Sequence, residues 1–573
     1  MSTSHFAYWP KRVSKSLTLP ETTLYDNLVV SAKRYPNKTA IEYYGASKTY
    51  KQLLEEVDYL AGYLEHRLEI SPGERVMLYM QNSPQYVIAF YAILRVRGIV
   101  VPINPMNTTD ELEFYINDCE IKTAIIGQEL SPQIEPLQAT TGLENLVVAV
   151  YSEYLPTIPL VSDLTAEITE SKKIYQNENL FYWEDAIQTQ LTPSLYEGNS
   201  EDVAVLPYTS GTTGLPKGCI HTHKTVQANV VGSAVWMNIS ANAVSFSTLP
   251  LFHVTGMVHG MHTPILTGSS MVLLTRWNRY HACKLIENYQ CTHWVNISTM
   301  LIDFLANPNL NTEDIKSLVN IAGGGAPLPE AVGEQLFKLT GLKFVEGYGL
   351  SETIAQTHFN PPDRPKLQCL GIPSFDVDAR IIEPVTMKQL GVGEVGEIVV
   401  NGPQVFKGYF NRPEETKDAF IEIDGKLFFR TGDIGRFDDE GYYFIVDRVK
   451  RMINASGFKV WPTEVENLLY KHPAIQQACV VSKPDEKRGE TVKAYVILNP
   501  IYSGKVSEDD IIDWSKEHMA NYKYPRYVEF IEKLPTTASG KILWRTLQEA
   551  EWSKVNKLMS EKSQKHREGI NSN

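Results

Sequence analysis

Apolar residues recur at helical spacing early in the chain. Leu24, Leu28, Ala32 and Tyr35 share one face, with Thr22 or Thr23 placed to cap the start and Pro36 to end it. Short apolar runs follow at Val76–Met80, Ile99–Ile103, Ala124–Ile126 and Leu146–Val150, each after a turn or a helical stretch. Helices alternating with wholly apolar strands are the pattern of an α/β sheet covered on both faces. From Gly391 the texture changes: Gly391-Val-Gly-Glu-Val-Gly-Glu-Ile-Val-Val-Asn-Gly402 predicts hairpins and a small β-barrel against the sheets. The last part reads as a separate α+β unit. It has strands at Ala478–Ser482 and Ala494–Leu498, and a helix opened by a capping box from Ser507 to Asp510 that carries Ile511 and Trp514 on one side. The tail after Trp552 predicts a helix that frays, and residues 151–200 carry no interpretable motif.

A chain of 573 residues exceeds what one hydrophobic core supports, so at least two domains are expected. Its net charge of -13 argues against non-specific nucleic-acid binding and gives no attraction to anionic lipid. The six cysteines are dispersed, without a C-x-x-C pair, and read as free thiols of a reducing compartment. Met1 to Lys15 has no apolar core of a signal peptide, and no window approaches eighteen uninterrupted apolar residues. A soluble cytoplasmic protein is expected.

The densest chemistry lies in Tyr208-Thr-Ser-Gly-Thr-Thr-Gly-Leu-Pro-Lys-Gly218, directly after the apolar run Val203–Leu206. Glycines let successive N–H groups turn toward one point, hydroxyls add donors, and Lys217 adds a cation, which together make a phosphate cradle. It is not a Walker loop, because Lys217 stands between Pro216 and Gly218. A second cluster, Gly347-Tyr-Gly-Leu-Ser-Glu-Thr353, is preceded by Gly323-Gly-Gly-Ala-Pro327. Glu352 is its one carboxylate, a hard ligand suited to a magnesium–triphosphate, and Tyr348 offers a face to a purine. Arg430-Thr-Gly-Asp-Ile-Gly435 holds an aspartate on a glycine turn, suited to two ribose hydroxyls. Asp447 to Val460 is rich in Lys and Arg, and Pro535-Thr-Thr-Ala-Ser-Gly-Lys541 ends a loop on a lysine. Taken singly, each of these reads equally well as a turn, a helix start or a solvated charge run; their order and spacing together carry the reading.

In that order and spacing the sequence resembles the adenylate-forming superfamily of acyl-CoA synthetases, luciferases and peptide-synthetase adenylation domains, from about Tyr25 to Lys541. Phe458-Lys-Val-Trp-Pro-Thr-Glu-Val-Glu466 and Arg488-Gly-Glu-Thr-Val-Lys-Ala494 are most similar to bacterial fatty acyl-CoA synthetases. Ser351 departs from the usual threonine and keeps the hydroxyl. The resemblance implies an α/β fold: a large N-terminal domain (1–447) of two α/β subdomains plus a small β-barrel, then a small mobile α+β C-terminal domain (448–573).

It also implies the roles of residues. Lys541, Glu352 and Lys217 are the catalytic set, with Mg2+ on Glu352. Nucleotide contacts fall to Thr209, Ser210, Gly211, Thr212, Thr213, Gly214, Lys217, Gly325, Ala326, Pro327, Gly347, Tyr348, Gly349, Ser351, Glu352, Asp433, Arg448 and Lys541. His253 and Gly324 meet the acyl group, Ser456 and Gly457 meet coenzyme A, and Lys450 is the hinge; His259 and His262 keep the reading of satisfied core histidines. ATP, coenzyme A and a carboxylic acid are the implied substrates, and a homodimer is compatible with the sequence. Acetate enzymes of this kind close the pocket with a tryptophan just before the Thr-Glu motif. Here glycines occupy that region and Gly323–Gly325, which favours a medium or long fatty acid. The alternatives are an aryl-acid CoA ligase of the same mechanism and a non-catalytic nucleotide-binding regulator; the latter predicts loss of Lys541, Glu352 or Asp433, all of which are present.

Overall fold

The computed structural model describes residues 4–209, 215–325, 327–448, 451–455, 458–485, 489–536 and 542–553, with Arg448, Phe458 and Lys459 described by backbone alone. The first expected helix is Leu24–Arg34. Thr23 caps it by accepting from Asp26 N while Asp26 reaches back to the Thr23 N–H, so two orphan donors are met reciprocally. The four apolar runs are the strands Arg75–Tyr79, Ile99–Pro102, Thr123–Gly127 and Asn145–Ala149. They lie side by side and parallel in a seven-stranded sheet, joined by Leu180–Tyr182 at one edge and by Val203–Val205 and His221–Thr222 at the other.

A second sheet of nine strands is parallel from Thr39–Tyr43 through Ser270–Leu273, Val244–Ser247, His293–Ile297 and Asn320–Gly324 to Val345–Leu350. Antiparallel strands close both of its edges. The helix Pro84–Arg95 is apolar on all sides, and every residue from Pro84 to Leu94 is buried, as a helix packed within a shared core must be.

The region expected as a small barrel is a five-stranded antiparallel sheet. Its long strand Lys426–Phe437 pairs with Gly396–Asn401 on one side and with Phe420–Ile423 and Tyr443–Arg448 on the other. Among the described residues the ladder runs open from Asp378–Ile382 to Phe420–Ile423, without a pairing that closes it into a ring. The α+β unit forms as expected. Ile475–Asp485 and Gly489–Leu498 pair antiparallel, and Ser507 caps Glu508–His518 with Asp510 completing the box.

Residues 4–17 form a strap packed on the nine-stranded part of the molecule through Trp9 and Leu17. Trp9 is buried edge-on against Trp236 (4.8 Å) and Phe375 (5.3 Å), and Leu17 N donates to Asp376 Oδ2 at 3.0 Å. The six cysteines are unpaired and five are buried. Burial pushes the thiols of Cys119, Cys369 and Cys479 up to about 12, so these three are packing groups rather than nucleophiles.

Candidate active site

The motifs gather at the carboxyl ends of parallel strands, where open α/β sheets leave their crevices. The phosphate cradle leaves the seven-stranded sheet after Val203–Val205. Its neck is a hairpin: Tyr208 bridges Gly218, Thr209 N donates to Lys217 O at 3.0 Å, and Lys217 N donates to Thr209 Oγ1 at 3.2 Å. Tyr208 anchors this neck, since its phenol donates to Asp118 Oδ2 at 2.6 Å and Arg412 pairs with the other oxygen of Asp118. Ser210, Gly211, Thr212, Thr213 and Gly214 lie outside the described residues.

The cluster carrying Glu352 leaves the nine-stranded sheet at the end of Val345–Leu350 and makes one tight turn, Ser351–Thr353. Four consecutive carbonyls of this turn are held. His221 Nε2 donates to Ser351 O (2.8 Å), Phe406 N to Glu352 O (2.8 Å), and the Asn229 amide to both Thr353 O (2.8 Å) and Ile354 O (2.8 Å). Burial lowers His221 to about 4, so at neutral pH it is an uncharged donor here. The turn exits through Ile354 (φ 43) and Ala355 (φ 94), both in the region L side chains avoid. Such strain persists only where surrounding bonds over-determine it, as these do. The Glu352 carboxylate, half-buried, accepts from Tyr409 Oη at 2.8 Å, and the Lys217 ammonium lies over the same Tyr409 ring at 4.3 Å.

Asp433 sits on Lys426–Phe437 opposite Arg448 and is buried. Its Oδ2 accepts from Tyr348 Oη at 2.6 Å, and its N–H donates to Thr431 Oγ1 at 3.1 Å. Tyr348 and Asp433, far apart in sequence and read there as purine and ribose groups, are therefore direct partners. Gly347, Gly349 and Ser351 lie on the strand Val345–Leu350 and its turn, and Gly324 ends the neighbouring parallel strand Asn320–Gly324, with Gly325 and Pro327 following it in the chain. A Cβ on Gly324 would meet Gly347 O at 2.4 Å, and one on Gly323 would meet Asn296 O at 2.3 Å. Close strand approach by itself therefore accounts for these two glycines, which sequence reasoning assigned to a passing acyl chain.

His253 is exposed, on the turn before the π-helical stretch Gly256–His262. His262 accepts a bond from, or donates one to, Tyr91 Oη at 2.7 Å, and burial holds His262 near 3 and His259 near 4, as neutral core groups. Each keeps one ring nitrogen without a partner, so the satisfied-histidine reading holds for one side of each ring only. Ala326, Lys450, Ser456, Gly457 and Lys541, and the side chain of Arg448, lie outside the described residues.

Sequence reasoning missed Tyr409, His221, Asn229 and Tyr208 as site residues. It missed Glu346 as well, a buried carboxyl that accepts from Gln368 N (2.9 Å) and Leu328 N (3.4 Å) and so ties the loop after Gly325 to the strand bearing Tyr348. Burial raises Glu346 to about 7.

For a divalent ion the fit is to one carboxylate beside a phosphate cradle. Among the described residues no three His, Cys, Asp or Glu side chains converge. An ion on Glu352 would take its other ligands from phosphate and water, the arrangement that suits Mg2+.

Residues 28–410 match the family described as AMP-binding enzyme, and residues 464–541 match the AMP-binding enzyme C-terminal domain. The chain is 36% identical over 555 residues to a long-chain-fatty-acid–CoA ligase of Bacillus subtilis, covering 95% of this chain and 97% of that one. A feruloyl-CoA synthase of Amycolatopsis is 31% identical over 518 residues, covering 89% and 96%. Among solved structures, ATP-bound MatB from Rhodopseudomonas palustris superposes with a TM-score of 0.80 at 26% identity, covering 93% of this chain and 99% of that one.

Proposed function

The chain belongs to the family of AMP-binding enzymes, as an AMP-forming acyl-CoA ligase, and from that membership we propose that its acid is a medium- or long-chain fatty acid. The observation that carries the choice of acid is the end-to-end similarity to the Bacillus long-chain ligase.

In the first half-reaction a carboxylate oxygen attacks the ATP α-phosphorus, the bond to the β-phosphate oxygen breaks, and pyrophosphate leaves. Two anions meet there, so the site must supply positive charge and donors fixed in advance. Lys541 would bridge the carboxylate and the α-phosphate. Thr209 through Lys217 would hold the departing pyrophosphate, their neck kept narrow by the Tyr208–Gly218 bridge. Mg2+ on Glu352 would neutralise charge between phosphate oxygens. Ala326, Pro327 and Tyr348 would frame adenine, while Asp433 and Arg448 take the ribose hydroxyls. The phenol bond that holds one Asp433 oxygen orients the carboxylate before nucleotide arrives.

In the second half-reaction the thiol sulfur of coenzyme A attacks the acyl carbonyl, the bond to AMP breaks, and the thiol proton passes to solvent. The unit 448–573 would turn about Lys450 between the two steps, withdrawing Lys541 and presenting Ser456 and Gly457 to pantetheine. A few residues absorbing the dihedral change suffice for such a closure. His253 would stand at the acyl entrance, consistent with its exposure.

A second reading, an aryl-acid CoA ligase, rests on the similarity to the feruloyl-CoA synthase. Pyrophosphate release with Mg-ATP on acetate, octanoate, palmitate and 4-coumarate, with and without coenzyme A, separates the two. Turnover on octanoate or palmitate that needs coenzyme A is expected; turnover confined to 4-coumarate would transfer the assignment to the aryl reading. A cytoplasmic location is part of the same proposal; among the described residues no helix is long and apolar enough to cross a membrane.

A further inference from the structure

Tyr409 belongs to none of the sequence motifs, yet it touches two of them. The segment around it is zipped to the exit of the phosphate cradle. Tyr409 bridges Cys219, Phe410 N donates to Gly218 O (2.8 Å), Lys407 N to Ile220 O (2.9 Å), and Ile220 N to Gly408 O (2.9 Å). The same segment reaches the Glu352 turn through Phe406 N, which donates to Glu352 O at 2.8 Å. Its backbone is therefore a strut between the two motifs, and the Tyr409 side chain repeats the link in polar form: hydroxyl on the carboxylate, ring under the ammonium.

We propose that Tyr409 is a positioning residue that sets the Glu352 carboxylate and the Lys217 ammonium for one metal–triphosphate. The assignment rests on the nucleotide reading of this site. A hydroxyl donating to one carboxylate oxygen fixes the rotation of that carboxylate and directs its remaining lone pairs. A ring face under an ammonium restricts a long, flexible side chain without consuming its three donors.

Because the two contacts use different parts of one side chain, they separate by substitution. Tyr409→Phe removes the hydroxyl and keeps the ring; Tyr409→Leu removes both. ATP binding without metal is measured by calorimetry, and Mn2+ binding to the enzyme–ATP complex by electron paramagnetic resonance, in each case with no acid present so that no turnover occurs. For Tyr409→Phe, metal-free ATP affinity should stay within about twofold of the unaltered enzyme, while Mn2+ affinity in the ternary complex falls about tenfold, the effect of losing one hydrogen bond to a charged group. Tyr409→Leu should additionally weaken metal-free ATP about threefold to tenfold, through the released lysine.

A phenylalanine variant that binds Mn2+ like the unaltered enzyme would overturn the positioning role of the hydroxyl, whatever the leucine variant does. Equal losses of metal-free ATP in both variants would overturn the division of labour. If the unaltered enzyme shows no metal-dependent ATP binding, the nucleotide reading itself fails and the assignment of Tyr409 goes with it. A purely structural role would lower the melting temperature of the variants without changing the metal dependence of the folded fraction.

Discussion

A methyl group on Gly349 tests how tightly the Glu352 turn is built. At this position an added Cβ would lie 1.5 Å from Ala355 O, 2.3 Å from Ala355 C and 2.8 Å from Gln356 Cα. All three are backbone atoms of the antiparallel partner strand, so no side chain can swing aside. Non-bonded separations below 3.0 Å are not tolerated, so the two strands must part by about 1.5 Å. Ala355 O is also the acceptor of the Thr353 hydroxyl (2.8 Å), and Thr353 Oγ1 in turn accepts from Leu350 N (2.9 Å). Moving Ala355 therefore pulls on the turn that aims Glu352.

Overpacking of this kind costs roughly 1–3 kcal/mol of stability, and with only backbone to yield, the upper end is expected. A misplacement of about 1 Å in a positioned group costs about 10²-fold in rate. Gly349→Ala should therefore lower both the melting temperature and the rate of ATP–pyrophosphate exchange, by about two orders of magnitude for the latter. Two other glycines set the scale. Gly347→Ala would meet its nearest atom, His358 O, at 3.4 Å and should fold normally, while Gly142→Ala has nothing within 4 Å and should be neutral in both assays. Exchange by Gly349→Ala within about threefold of the unaltered enzyme, at an unchanged melting temperature, would refute the reasoning.

Two further outcomes follow from named contacts. Tyr348→Phe deletes the 2.6 Å bond to the buried Asp433 carboxylate and should weaken AMP binding about tenfold by calorimetry; unchanged affinity would remove Asp433 orientation from the ribose argument. Glu346 titrates near 7 in the fold against 4.5 as a free group, so between those values the folded protein holds a proton that the unfolded chain has released. Its contribution is present below pH 4.5 and is lost as pH rises through 7, by up to about 3 kcal/mol. The melting temperature of Glu346→Gln, relative to the unaltered protein, should accordingly climb between pH 5 and pH 8, and a constant difference across that range would count against the buried-carboxyl account.

What could be read from sequence was what local chemistry signals. Thr23, Ser507 and the four apolar runs announce caps and buried strands because capping and burial are properties of a few neighbouring residues. Glu352 and Asp433 could be singled out as carboxylates on glycine turns. Their partners could not. Tyr348 and Asp433 meet only because the Val345–Leu350 strand of one sheet faces the long strand of another, and nothing in either segment encodes that approach. Tyr409 was invisible for the same reason: an isolated tyrosine after a glycine has no local signature, and its importance arises from the strut on which it sits. Trp9, too, has no local signature, while the fold packs it edge-on against Trp236 and Phe375.

The glycines carry a sharper lesson. A glycine beside a ligand motif invites the inference that it makes room for the ligand. Gly323, Gly324 and Gly349 instead make room for neighbouring backbone, as the atoms a Cβ would strike are main-chain oxygens of adjacent strands and, at Gly323, the Phe344 ring as well. Gly323–Gly325 therefore lend less support to a slender acyl chain, and the choice of a fatty acid stands on the similarity to the Bacillus ligase. What survives from these glycines concerns position rather than room. Backbone of the neighbouring strands packs directly against Val345–Leu350 at Gly324 and Gly349, and the same strand with its turn carries Tyr348 to Asp433 and Glu352 to Tyr409.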